Sequence, residues 1–96
     1  MITHIVFFKF KEDNKEANIA KTKALLETLP SKISSIINYE VGIDFLHTER
    51  SYDMALYSTF DSKEALHSYA THPEHLLVVA FIKDVTENTR VVDYEK

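Results

Sequence analysis

The 96-residue sequence predicts an α+β sandwich, a four-stranded, mostly antiparallel sheet with helices packed on one face. Three observations carry that expectation. A segment rich in Ile, Val and Phe opens the chain, and apolar residues alternate with period two in two more segments near its middle. Segments with three- and four-residue apolar spacing separate them. The resulting order, β-α-β-β-α-α-β, is that of a ferredoxin-like βαββαβ sandwich with one helix doubled.

The first strand is expected over residues 2–10, Ile-Thr-His-Ile-Val-Phe-Phe-Lys-Phe, where branched and aromatic side chains dominate. A helix should follow over residues 13–29. Ile19, Thr22, Leu26 and Leu29 form its apolar stripe, with Lys15, Glu16, Lys23 and Glu27 off it. Pro30 stops that helix at or before Leu29. The second strand, residues 37–45, has the cleanest alternation. Ile37, Tyr39, Val41, Ile43 and Phe45 share one face; Asn38, Glu40, Gly42 and Asp44 share the other. Polar residues 47–51 connect it to a third strand over 52–60, with Tyr52, Met54, Leu56 and Phe60 in phase. Asp61-Ser-Lys-Glu64 reads as a capping box with Asp61 as N-cap, and its helix should reach residue 70. Pro73 suits the first position of another helix, running through His75 to residue 82. A last strand is expected over residues 87–94.

Composition narrows the function. A chain this short buries roughly 60–65% of its unfolded surface, enough for one layered core, so residues 1–96 are expected to form one domain. Eleven basic against fifteen acidic residues give a net charge of −4, which argues against a nucleic-acid surface. The absence of cysteine excludes disulfides and thiolate chemistry, and one glycine leaves no phosphate-cradling loop. No apolar run reaches the ~20 residues of a membrane span, and no signal-peptide pattern opens the chain. A cytoplasmic protein without membrane or nucleic-acid partners is therefore expected.

The strand faces point to self-association. His4, Val6, Phe8 and Phe10 share one face of the first strand, while Ile5 and Phe7 lie on the other with Thr3 and Lys9. One set packs beneath the helices, and the other faces water in a monomer. In a ferredoxin-like strand order of 4-1-3-2, Ile5 and Phe7 gather with Ala55, Tyr57 and Val92 at the centre of the open face. The edge strand adds polar Asn38, Glu40 and Asp44. An apolar centre with a polar margin is the layout of a protein interface, so a homodimer through these residues is expected.

The chemically capable residues concentrate in Tyr69-Ala-Thr-His-Pro-Glu-His75. His72 precedes a proline and should be extended, serving helix entry by capping or packing. His75 falls in the first turn of the next helix, where unpaired amides favour a neutral imidazole able to accept a proton. Tyr69, closing the previous helix, can donate to a developing oxyanion. His4 points to the same helix-covered side. Each also has a plain reading: Tyr69 as amphipathic core, the histidines as satisfied packing residues. His47 and His67 read as exposed polar positions. A metal set of His72, Glu74 and His75 is weakly supported, because Pro73 separates an extended ligand from a helical one. Neither a nucleophile elbow nor a paired-carboxylate site is present, and nothing selects haem, so no metal or cofactor is expected.

The opening Met-Ile-Thr-His-Ile-Val-Phe-Phe-Lys-Phe-Lys resembles the start of stress-responsive A/B barrel domain (Dabb) proteins. So do Tyr39-Glu-Val-Gly42, Ser51-Tyr-Asp-Met-Ala-Leu56, the stretch from Tyr69 to His75, and Val91-Val-Asp-Tyr94. The likeness spans residues 2–94. It implies a ferredoxin-like fold whose copies form a dimeric α/β barrel through their sheets. Members related to plant polyketide cyclases use a pocket between sheet and helices for an intramolecular aldol condensation. There a tyrosine and the second histidine of His-Pro-x-His act. By motif position those roles fall on Tyr69 and His75, and the pocket's strand histidine on His4.

Two expectations follow. In the first, His4, Val6, Phe8, Tyr39, Leu56, Tyr69 and His75 line a pocket for an apolar, carbonyl-bearing compound. His75 there removes a proton beside the carbonyl and Tyr69 steadies the oxygen. In the second, the protein is a non-catalytic, stress-associated dimer without a ligand, and these side chains fill the core. Cavity volume separates them, since ligand sites typically measure ~300 Å³ or more.

Overall fold

The computed structural model describes all 96 residues. Strand β1 (Ile2–Phe10) leads to helix α1 (Lys15–Glu27), a single 3-10 turn (Leu29–Ser31), and strands β2 (Asn38–Ile43) and β3 (Met54–Phe60). Helices α2 (Lys63–Thr71) and α3 (Pro73–Val85) follow, and strand β4 (Thr86–Glu95) closes the chain. The sheet order is β2-β3-β1-β4, every neighbouring pair antiparallel, which gives the expected ferredoxin-like α+β arrangement. Period-two alternation turns Ile2, Val6, Phe8 and Phe10 inward beneath the helices, where they meet Leu26 of α1, Leu29, and Val78 and Ile82 of α3. No helix is long and apolar enough to cross a membrane.

Element ends depart from expectation for local reasons. Asn14 takes a left-handed conformation (φ 54°), a region asparagine tolerates, so α1 begins at Lys15 rather than residue 13. Pro30 lies inside the 3-10 turn that follows α1 rather than simply ending the helix. β2 is shorter than its alternation suggested. Its pairing with β3 ends at Ile43 opposite Met54, and beyond it the Asp44 carboxylate accepts from the His47 N–H at 2.8 Å. Phe45 therefore leaves the sheet and is 87% exposed; Ile37 and Ile43 are also exposed. Likewise β3 starts at Met54, because Asp53 is held by its carboxylate, which accepts the Phe10 N–H at 2.8 Å.

The helix caps differ by one residue. Ser62, not Asp61, caps α2: its hydroxyl accepts the Ala65 N–H at 3.1 Å, so no reciprocal box with Glu64 forms. His72 ends α2 and caps α3, its Nδ1 accepting the Glu74 N–H at 3.1 Å with Pro73 in the first turn. Nothing breaks α3 at residue 82. It continues to Val85 and passes straight into β4, where the Thr86 hydroxyl donates to the Ile82 carbonyl at 2.8 Å.

Candidate functional site

Helix α3 and the β1–β4 side of the sheet do not close on each other. Between them lies a cavity of about 440 Å³. His4, Val6, Phe8 and Leu56 reach it from the strands, Tyr69 from α2 and His75 from α3. Val79 and Ile82 add an apolar wall, while Lys83, Glu87 and Asn88 bring polar groups to its lining. On β4 the helix-side residue Val91 is 50% exposed, so its side of the hollow is open.

His75, in the first turn of α3, is fixed by the end of the preceding helix α2. Its Nδ1 lies 3.0 Å from the Ala70 carbonyl oxygen, which can only accept, so Nδ1 carries the proton and Nε2 keeps its lone pair. Burial pushes the imidazole below the ordinary histidine value of 6.5; the Ala70 carbonyl opposes this, and nearby His4 and His72 add to the lowering. The direction is the expected one, but burial, not the helix terminus, is its main cause. The ring packs against Tyr69 with centroids 4.3 Å apart.

Tyr69 is 1% exposed, wedged against Phe60 at 5.1 Å between ring centroids. Its hydroxyl lies 2.8 Å from that of Tyr39. Burial raises the phenol to about 12, and the hydrogen bond with Tyr39 partly offsets the rise. The group therefore stays protonated at neutral pH and is available as a donor.

His4 stands opposite Asp93 in the β1–β4 ladder, and its Nδ1–H donates to the Asp93 carboxylate. In the neutral ring that pairing puts the lone pair on Nε2 of His4, as in His75. Asp93 was not singled out from the sequence. Period-two alternation onward from Val91, with β4 placed beside β1, was the signal that could have found it.

Six of the seven residues expected around the pocket, His4, Val6, Phe8, Leu56, Tyr69 and His75, line one cavity. Tyr39 does not. Its strand is separated from β1 by β3, and Tyr69 stands beside it, so Tyr39 contacts the site only through the Tyr69 hydroxyl. Lys83 was missed because α3 was expected to end a turn early. His72 is occupied as a cap, and His47 and His67 are exposed and apart from the cavity.

On the opposite face of the sheet, Ile5 pairs with both Tyr57 and Val92, and Phe7 with Ala55. Phe7, Tyr57 and Val92 are 38%, 41% and 53% exposed, with Asn38 and Glu40 at the β2 margin. A shallow depression of about 330 Å³ continues this patch past Phe7 and Ala55 to Tyr52 and Phe45.

Comparison with known proteins adds to this geometry. The family model for the stress responsive A/B barrel domain matches residues 2–96. A stress-response A/B barrel domain-containing protein of Arabidopsis thaliana is 32% identical over 98 residues, covering 95% of this chain and 82% of that protein. A crystal structure of a dimeric protein with a ferredoxin-like fold from Bacteroides fragilis is 35% identical, with a TM-score of 0.89 over 99% of this chain and 95% of its own. A hydroxynitrile lyase from Passiflora edulis superposes with a TM-score of 0.86 over 97% of this chain and 90% of its own. At 21% identity that likeness concerns the fold alone.

Proposed function

Given that the chain belongs to the stress-responsive A/B barrel domain family, we propose that it is a single-domain, cytoplasmic homodimer with a small-molecule site between sheet and helices. The site takes an apolar compound bearing a carbonyl group. His75 and Tyr69 act on it by acid–base chemistry. The two protomers meet through Ile5, Phe7, Ala55, Tyr57 and Val92, a reading supported by the dimeric state of the Bacteroides fragilis relative.

One observation carries the chemical proposal. A half-buried, neutral-leaning imidazole with a free Nε2 packs against a protonated, buried phenol at the wall of a largely apolar cavity. Nε2 of His75 takes a proton from the carbon beside the carbonyl, and the electron pair moves onto the carbonyl oxygen. The Tyr69 hydroxyl donates to that oxygen as its charge grows, a contact worth more in the transition state than in the ground state. The enolate so formed serves an isomerisation or an intramolecular aldol closure, and His75 returns the proton. Val6, Phe8 and Leu56 hold the apolar body and exclude water. A ligand-free dimer is the other reading, and a 440 Å³ hollow beside two histidines does not favour it.

Proton abstraction is tested by deuterium exchange at the α-carbon of an apolar β-diketone in D₂O, followed by NMR. The wild-type protein should accelerate exchange, and His75→Ala should lower that acceleration about 10²–10⁴-fold. Exchange no faster than in buffer, together with no thermal shift from a panel of apolar ketones, would overturn the proposal.

A further inference from the structure

The pairing of two tyrosine hydroxyls at the back of the site has a consequence for Tyr69. We infer that Tyr39 is a positioning residue: its hydroxyl donates to the Tyr69 oxygen and thereby turns the Tyr69 proton into the cavity, toward an acceptor oxygen on the ligand. The inference rests on the acid–base reading above and adds a residue to it.

A phenol hydroxyl has one proton and can also accept. Tyr39 and Tyr69 lie 2.8 Å apart, and neither hydroxyl has another protein partner. Only one of the two can donate across that gap. If Tyr69 donates to Tyr39, its proton is spent inside the protein and it presents only lone pairs to a ligand. If Tyr39 donates, the Tyr69 proton is free, and the open space that Tyr69 borders is the cavity. A carbonyl oxygen in the cavity selects the second arrangement, because it can only accept. The chain then runs Tyr39 to Tyr69 to ligand oxygen, each bond polarising the next.

The surroundings hold this chain in place. Tyr39 projects from the helix-side face of β2, opposite Ser58 of β3, and its ring meets Tyr69 nearly edge-on at 6.1 Å. Tyr69 is clamped between Tyr39, Phe60 and His75. The Tyr39 phenol is itself driven strongly upward by burial and by the neighbouring Tyr69, so it does not give up its proton at neutral pH. The same hydrogen bond eases charge on the Tyr69 oxygen, whose pKa it lowers. Tyr39 thus touches neither ligand nor reacting atom, and it sets the direction and strength of the donor that does.

The probe is 4-nitrophenolate, an apolar ring bearing an oxyanion, with 4-nitroanisole as its neutral counterpart of similar shape. Affinities are measured by absorbance and calorimetry at a pH where the probe is ionised and Tyr69 is not. Wild-type protein should prefer the phenolate. Tyr69→Phe should abolish that preference, and Tyr39→Phe should reduce it about three- to tenfold while leaving nitroanisole binding unchanged. In a Tyr69→Phe background, Tyr39→Phe should have no further effect, because its action passes through the Tyr69 oxygen. A Tyr39→Phe loss that is equal for both probes, or that persists without the Tyr69 hydroxyl, overturns the inference and makes Tyr39 a packing residue. Unaltered phenolate preference in Tyr39→Phe overturns it as well and leaves the acid–base reading standing. Failure of the wild-type protein to bind either probe defeats both.

Discussion

The two halves of the helix-covered face are built from similar residues and end up differently. Beneath α1 and the 3-10 turn, Leu29, Ile33, Val41, Met54 and Phe60 interlock and lose nearly all contact with water. Beneath α3, on the β1–β4 side, comparable residues such as Val6, Phe8, Val79 and Ile82 surround empty space. Partner size accounts for the difference. The filled half receives large side chains from both layers. On the hollow half, β4 brings Thr86, Glu87, Asn88, Thr89 and Val91 to the cavity, with no large apolar side chain among them. Tyr69 stands at the boundary, touching core on one side through Phe60 and cavity on the other through His75. Stability is concentrated on the filled side, and chemistry has room on the other.

Truncation should expose that asymmetry most strongly. Phe60→Ala removes a ring with no exposed surface from the filled half and should cost about 3–5 kcal/mol, read as a fall in urea midpoint. Val91→Ala, at the half-exposed edge of the hollow, should cost less than about 1 kcal/mol. Equal costs would mean the hollow is closed in solution.

The open face comes next in size. Phe7→Lys places a charge at the centre of the proposed protomer contact, and burying an unpaired ammonium there is unfavourable by several kcal/mol, on the order of that reported for unpaired buried charges. Light scattering should find the wild type at twice the mass of the 11.1 kDa chain and the variant at or near monomer mass. A monomeric wild type would remove the dimer and leave the cavity arguments intact.

His75 offers a test of the hollow by pH. Its folded-state pKa lies below 6.5, so the unfolded chain takes up a proton more readily than the folded one. The sign follows: this residue's contribution to stability is fully present above pH 6.5 and is lost as pH falls through the lower folded value. An NMR titration of the His75 ring should give a midpoint below 6.5, and base-catalysed exchange should persist into that acidic range. A midpoint at or above 6.5 would mean that the imidazole is open to water.

Much of this layout is legible in the sequence, for physical reasons that also mark where reading stops. Both faces of β1 follow from alternation, because the pleat assigns each residue a side irrespective of its partners, while the sheet order follows from the succession of strands and helices. The convergence of His4, Val6, Phe8 and Leu56 under one roof follows from the same rule. Tyr39 obeys it too, since it points to the helix side, but alternation is silent on which of two cavities or cores a residue meets there. That depends on the size of Tyr69, which fills the space between Tyr39 and the hollow. Asp93 was hidden for a related reason. A carboxylate on a strand end reads as solvated until its cross-strand neighbour is known to be a histidine. Phe45 has the phase of a strand residue, yet the backbone contact between the two strands stops at the Asp44 N–H, which donates to the Asp53 carbonyl at 2.9 Å, and Phe45 lies beyond it.

The smallest effect concerns the element that carries Tyr69 to the boundary. Helix α2 spans only Lys63–Thr71, short enough that its first turn matters to its position. Asp61 and Ser62 are both good capping residues by type, and sequence alone favours Asp61 because Glu64 follows at the capping-box spacing. The chain chooses Ser62, whose extended backbone lets its hydroxyl reach the Ala65 amide at 3.1 Å. Ser62→Ala should therefore lower stability by about 1 kcal/mol, while Asp61→Ala should stay within about 0.5 kcal/mol of wild type. Because α2 also fixes Tyr69, Ser62→Ala should weaken 4-nitrophenolate binding slightly and Asp61→Ala should not. The reverse ranking would place the cap one residue earlier and shift the register of the helix that delivers the phenol.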